Sequence, residues 1–337
     1  MGNIRQTQTV SEVDRLAILA NHHFDSRRWQ AIRFRSDDIV ISSWAKSGTT
    51  WLQQIVCQMI HDGRSDLATN SISPWVDFRL TPLADVVELL ESQPFRRVMK
   101  SHLPSDAIPI VPPVRYLYIA RHPIDVIWSW YNHHVNFTDE TYEALNGTIG
   151  RVGPPLERPD VNFRRYFRKW LLEDGHPFHP YWSNVDSWWR HRHRPNVCIV
   201  HFADLRRHFE YEVMRLASFL NIRPTADVWP RVFSHSRIDY VREHAELIVP
   251  FGGTIFKGGA RSFVRSGAAR QWEGLLKKSD EIECRVMADK LLTPGCSDWL
   301  FRQGDRPIAS ERAVSSTPAR INVGYEAARH RCVEVSE

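Results

Sequence analysis

Apolar positions along this chain come in two kinds of run, short unbroken ones and longer periodic ones, and the two kinds alternate. Residues 37–42, DDIVIS, form a brief apolar stretch, the pattern of a strand buried on both faces. GTTWLQQIVCQMIHDG follows, with Trp51, Leu52, Ile55, Met59 and Ile60 near helical spacing and Gly63 as the stop. A second helix is expected after Pro82, over LADVVELLES. FRRVMKSHLP then reads as a strand ending at Pro104, and VRYLYIARHP as one ending at Arg121, with Pro123 placed to open the helix IDVIWSWYNHH. That helix carries Ile124, Ile127 and Tyr131 on one face. Residues 139–160 are rich in Gly, Pro and polar side chains and read as a long surface loop or lid. Helical periodicity returns over 163–172 and 183–190, and NVCIVHF (196–202) is one more buried strand. From Gly304 the sequence turns polar and aperiodic, as a flexible tail does. There is no internal repeat.

Strands alternating with helices predict an α/β fold, a P-loop-like central parallel β-sheet flanked by helices. The expected organisation is a single domain over 21–303, an N-terminal segment over 1–20 and a polar tail over 304–337. Ligands of such sheets bind at the carboxyl ends of the strands. Lys46 to Thr50, Lys100 to His102, and Arg121 all fall there.

Composition narrows the class without deciding it. With 337 residues, 42% hydrophobic and 25% charged, the chain is ordinary globular material, and its 13 Trp are spread out, as packing residues are. The net charge of +5 suits an anionic ligand, but basic and acidic residues interleave, and the densest basic run, HRHRP (191–195), reads as a solvated helix end. That argues against a nucleic-acid partner. The five cysteines are odd in number and widely spaced with no C-x-x-C pair, so reduced thiols and no zinc frame are expected. No apolar run reaches the ~18 residues of a membrane span. The N-terminus lacks a signal-peptide core, and Gln6 stands where a myristoylation pattern wants Ser or Thr. The expectation is a soluble cytoplasmic protein.

The candidate chemistry begins at ISSWAKSGTTW (41–51). It fills the triphosphatase frame G-x-x-x-x-G-K-[ST] with Ser43 at the first Gly and Thr49 where Lys belongs; the lysine stands three places earlier, at Lys46. Thr50 keeps the hydroxyl, but DIVIS, RYLYIA and NVCIVHF lack a terminal Walker-B acid, so Mg–ATP chemistry is disfavoured. A group transfer whose leaving oxygen is stabilised by lysine fits better. Residues two apart on a strand share a side, so Lys100 and His102 would project together. One is a cation for developing charge; the other is an imidazole suited to general-base work, unless it merely caps the strand. Arg121 and Ser129, two helical turns apart, could grip a second phosphate. An ion pair of Arg121 with Asp125 is the competing account.

Taken in order, WAKSGTTW, KSHLP and YIARHPIDVIWSWYNHH resemble the 5′-phosphosulfate loop, the catalytic-histidine segment and the 3′-phosphate motif of the cytosolic sulfotransferase family. The resemblance extends over about residues 37–272. It implies a donor, 3′-phosphoadenosine 5′-phosphosulfate (PAPS), a product, adenosine 3′,5′-bisphosphate (PAP), no metal, and in-line transfer to an acceptor hydroxyl or, second to it, an amine. Carried over by position, Lys46, Ser47, Gly48, Thr49 and Thr50 would hold the 5′-phosphosulfate and Trp51 the adenine. His102 would take the acceptor's proton, Lys100 would steady the sulfuryl group, and Arg121 with Ser129 would hold the 3′-phosphate. The family's last donor motif, R-K-G-x-x-G-x-W, becomes RSGAARQW here, keeping Arg265, Gly267 and Trp272 but with Ser266 for Lys and Arg270 for the second Gly. Arg270 either replaces the missing cation or lies on the surface. Phe202 stands where many members have an adenine-contacting Tyr. The family's dimer motif is absent after Trp272, which leaves the oligomeric state open. A small, hydrophobic acceptor would meet Trp75, Phe78, Tyr131 and His134. A Mg–ATP kinase and a non-catalytic nucleotide-binding module are the alternatives.

Overall fold

The structure, a computed structural model, describes residues 16–302 apart from Ser266. Most of the N-terminal segment and the whole polar tail therefore lie outside the described residues, as does Ser266. Among those described, four strands form one parallel sheet: β1 (Ile39–Ser42), β2 (Val98–Ser101), β3 (Arg115–Ala120) and β4 (Val197–His201), in the order β2-β1-β3-β4. Each is almost wholly buried, which is why its sequence is apolar without alternation. The period of two appears instead in where the side chains go. Val40, Met99, Tyr116 and Tyr118 enter one core layer with Trp44, Trp130 and Trp188, while Ile39, Ile41, Val98, Leu117 and Ile119 enter the other with Leu52, Ile55 and Val56.

The helices Thr49–Ile60, Leu83–Ser92, Pro123–Val135 and Phe163–Leu172 fall where periodicity predicts them, and Tyr181–Arg190 starts two residues earlier than expected. Residues 139–160 correct the sequence reading. Their first part is the helix Asp139–Gly147, nucleated by Thr138, whose Oγ1 accepts from the Thr141 N–H at 3.2 Å. Its apolar stripe is only Tyr142 and Leu145 among polar neighbours, too sparse to register as a period. These two side chains join Phe78, Phe137, Leu156 and Phe256 in a third apolar cluster.

Edge strand β2 is covered along part of its open side by residues 74–76. Lys100 N–H donates to the Pro74 carbonyl at 2.9 Å and the Val76 N–H donates to the Lys100 carbonyl at 3.1 Å. At the far end of the sheet Arg97 and Asp38, both with fully buried side chains, form a two-pronged pair at 2.8 and 2.6 Å; Asp38 also accepts from the Arg35 N–H. Removing Asp38 would leave the buried Arg97 guanidinium with only the half-exposed Glu91 carboxylate, at 3.2 Å, as a charged partner. Asp38→Ala is therefore expected to lose about 3–5 kcal/mol of stability. Urea unfolding reads this directly, and a loss under about 1 kcal/mol would mean that water reaches the pair.

Candidate active site

All four strand ends converge on one cavity. Beyond β1 the chain makes a tight loop into the helix Thr49–Ile60. Lys46 adopts a left-handed conformation (φ +66°) and Gly48 one at φ +115°. A Cβ at Gly48 would lie 2.7 Å from the Phe202 ring, so glycine is required both for the backbone and for the close approach. The loop thus brings Lys46 to the cavity with the first N–H groups of a 12-residue helix beside it, the arrangement that favours an anion. Ser43 Oγ and Thr49 Oγ1 share a hydrogen bond of 2.5 Å that ties the loop's two ends together.

Lys100, within β2, and His102, just beyond its end at Ser101, reach the same cavity. The His102 ring packs edge-on against Trp75, and Lys100 Nζ lies 4.6 Å from the Trp75 ring centre. His102 Nδ1 is 2.9 Å from the Ser43 carbonyl oxygen. A carbonyl can only accept, so Nδ1 carries the proton and Nε2 keeps its lone pair. Burial holds His102 well below the usual imidazole range, with Lys100 pushing in the same direction. Burial also pulls the Lys46 ammonium well down, helped by the neighbouring cations Lys100, Arg121 and Arg265. Lys46 Nζ donates to His133 Nδ1 at 3.4 Å and sits 3.4 Å from the Phe263 ring centre.

Beyond β3, Arg121 lies on the Phe202 ring, which follows β4, with its guanidinium 4.5 Å from the ring centre. Arg121 donates to the Ala268 carbonyl at 3.0 Å, while its Nε is buried without a partner among the described residues. The ion pair with Asp125 is present at 3.7 Å, yet Asp125 does more than neutralise. Its Oδ1 accepts from the Arg270 N–H and from Trp272 Nε1, both at 2.8 Å. That clamps the segment around 265–272 against the start of the helix Pro123–Val135 and brings Arg265 and Gly267 to the cavity. Arg270 itself pairs with Glu273 and Glu281 and is not among the residues that line the cavity. Arg206, whose Nη1 donates to the Gly267 carbonyl, and Arg242, which donates to the Arg265 carbonyl, are further cations beside this segment.

The sequence-derived residues divide clearly. Lys46, Gly48, Thr49, Thr50, Trp51, Lys100, His102, Arg121, Ser129, Phe202, Arg265 and Gly267 line one cavity, as do Trp75 and Phe78. Ser47 is buried behind the loop, its N–H directed to the Trp44 carbonyl. Tyr131 and His134 are not brought to the cavity. Tyr131 donates to the Val161 carbonyl from the opposite side of its helix, and His134 is hydrogen-bonded to Tyr166 within the core. Sequence reasoning missed His23, His133, Phe137, Phe256 and Phe263, which complete an aromatic chamber next to His102. A signal was available for one of them: His133 lies four residues past Ser129, one turn along the same face.

Comparison with known proteins agrees with this geometry. Residues 36–287 match the family model described as a sulfotransferase domain. The glycolipid sulfotransferase of Mycobacterium bovis is 27% identical over 298 residues, covering 82% of this chain and 91% of that protein. Human sulfotransferase 1E1 is 25% identical over 253 residues, covering 72% and 80%. Among solved structures, mouse sulfotransferase SULT7A1 complexed with PAP superposes with a TM-score of 0.60 at 16% identity, covering 81% of this chain and 90% of that one. Retinol dehydratase in complex with retinol and PAP gives 0.61 at 19% identity, covering 80% and 84%. With its family model spanning most of the chain and a phosphate loop, histidine strand and arginine strand meeting at one cavity, this protein belongs to the PAPS-dependent sulfotransferase family.

Proposed function

We propose that this enzyme transfers the sulfuryl group of PAPS to a hydroxyl on a small acceptor with a substantial apolar body, with His102 as general base. The observation that carries the reading is the disposition of His102: its Nδ1–H is committed to the Ser43 carbonyl, and its Nε2 lone pair is left for a proton arriving from the chamber. Bound PAPS supplies an activated sulfuryl group on a phosphate leaving group. The loop around Lys46, Thr49 and Thr50 and the adjoining helix N–H groups receive its 5′ end. Arg121, Ser129 and Arg265 take the 3′-phosphate, and the orphaned Arg121 Nε supports that assignment because a ligand oxygen would satisfy it. Trp51 and Phe202, in edge-to-face contact at 5.4 Å, offer the adenine an aromatic wall.

As the acceptor oxygen bonds to sulfur, its proton passes to His102 Nε2. The bridging S–O bond breaks, and its electron pair stays on the bisphosphate, where Lys46 neutralises it. Lys100 faces the charge on the sulfuryl oxygens. The aromatic chamber and the likeness to a mycobacterial glycolipid sulfotransferase both support an acceptor with an apolar body.

Calorimetric titration with PAP in the absence of magnesium, against ATP with magnesium, tests the donor site. Micromolar binding of PAP alone is expected; preference for Mg–ATP would favour a kinase, and binding of neither would favour a non-catalytic module. Burial pulls the Lys100 ammonium down to about 8, against the opposing pull of the Asp77 carboxylate. Lys100 is therefore charged below that pH and neutral above it, so kcat/KM with PAPS at fixed ionic strength should fall as pH rises through about 8. Lys100→Met should flatten this slope. A wild-type kcat/KM that stays level between about pH 7 and about pH 9 would take Lys100 off the sulfuryl oxygens.

A further inference from the structure

The aromatic chamber holds a second imidazole whose lone pair the reaction does not use. His22 and His23, adjacent in sequence, are both buried and hydrogen-bonded to each other through their Nδ1 atoms. His22 Nε2 is 2.8 Å from the Pro177 carbonyl oxygen. Since that oxygen accepts only, His22 Nε2 carries the proton and, in the neutral ring, His22 Nδ1 is an acceptor. His23 Nδ1 must then be the donor of the pair. The proton order along the relay leaves His23 Nε2 as a bare lone pair, and His23 lines the cavity. No described residue gives that nitrogen a hydrogen bond.

His23 is close to the reacting end of the chamber, because it and His102 pack on the same two rings, Phe178 and Trp75. Phe78, Trp130 and Phe137 also pack around its ring. An acceptor nitrogen covered by an apolar ligand would be left unpaired, at the cost of its lost hydration. A ligand that brings its own donor avoids that cost.

We propose that His23 is a specificity-determining residue: held in one tautomer by His22 and the Pro177 carbonyl, its Nε2 receives a hydrogen bond from a second hydroxyl of the acceptor. The enzyme therefore takes polyhydroxylated acceptors, a diol or a sugar ring on an apolar body, ahead of mono-alcohols. His102 takes the proton of the hydroxyl that is sulfated, and His23 holds its neighbour. This rests on the reading of the chain as a hydroxyl sulfotransferase.

The test uses the full chain, PAPS and two acceptors of one skeleton, 1,2-decanediol and 1-decanol. A site built to bond a hydroxyl discriminates strongly against the analogue that lacks it, so kcat/KM should favour the diol by roughly 100-fold or more. His23→Leu should reduce that ratio at least tenfold. His23→Gln, which carries an acceptor oxygen near the Nε2 position, should keep most of it. PAP titration of each variant checks that the donor site has folded. If His23→Leu fails that check, the wild-type ratio and the Gln variant still decide the matter. A wild-type ratio near one, or a His23→Leu variant with the wild-type ratio, would overturn the proposal. Transfer to neither acceptor by a wild-type protein that binds PAP would instead overturn the hydroxyl-transfer reading beneath it.

Discussion

His102→Ala is expected to reduce turnover by roughly 10²–10⁴-fold while leaving PAP affinity within about a factor of two. The loss follows from the geometry. The imidazole is fixed through Nδ1 to the Ser43 carbonyl and packed edge-on against Trp75, which leaves its Nε2 lone pair for the acceptor's proton. Donor affinity should survive because the neutral ring contributes no charge to the cavity, where the proposed phosphate partners Lys46, Arg121 and Arg265 stand. The variant is measured twice, by formation of sulfated product and by titration with PAP. A residual rate above roughly a tenth of wild type would remove His102 from the role of base. Loss of PAP binding in parallel with activity would point to collapse of the loop that Ser43 anchors.

Arg121→Ala should have the largest effect on the donor side. Its guanidinium is nearly buried, lies on Phe202, is fixed to the Ala268 carbonyl and keeps Nε in reserve. Deleting a charge-assisted contact of this kind costs about 2–4 kcal/mol, or roughly 30- to 1000-fold in Kd for PAP. Adenosine 5′-phosphate, which lacks the 3′ group, should lose much less. Equal losses for the two nucleotides would contradict the assignment of Arg121 to the 3′-phosphate. Because Asp125 also holds Arg270 and Trp272, the Ala variant leaves one of its partners missing but the clamp on 265–272 in place.

The sheet and its donor end were legible in the sequence because short-range rules govern them. The apolar run of DDIVIS follows from burial on both faces, and strand, loop and helix in sequence commit the Lys46 segment to a strand's carboxyl end whatever happens elsewhere. The acceptor chamber was mostly illegible. Phe256 and Phe263 lie on short turns and helices with no period to read, and they reach His133 only through the tertiary fold. His23 owes its tautomer to a carbonyl 155 residues beyond His22, at Pro177. Tyr131 and His134 were misassigned because five aromatic or histidine residues crowd one helix, and only its packing partners decide which side faces the cavity. Asp139–Gly147 escaped notice because two apolar side chains suffice when the neighbouring cluster supplies the rest.

The sheet order has a consequence for how such an enzyme can diversify. Each donor-end element hangs from its own strand: Lys46 after β1, Lys100 and His102 with β2, Arg121 after β3, and Phe202 after β4. Much of the chamber wall comes instead from residues outside the sheet, such as His23, Phe78, Phe256 and Phe263. Substitution in those segments can remodel what is sulfated while the framework that handles the sulfate source keeps its register. Transplanting the stretches around 75–80 and 251–263 between relatives is thus a route to new acceptor preferences with the catalytic frame inherited intact.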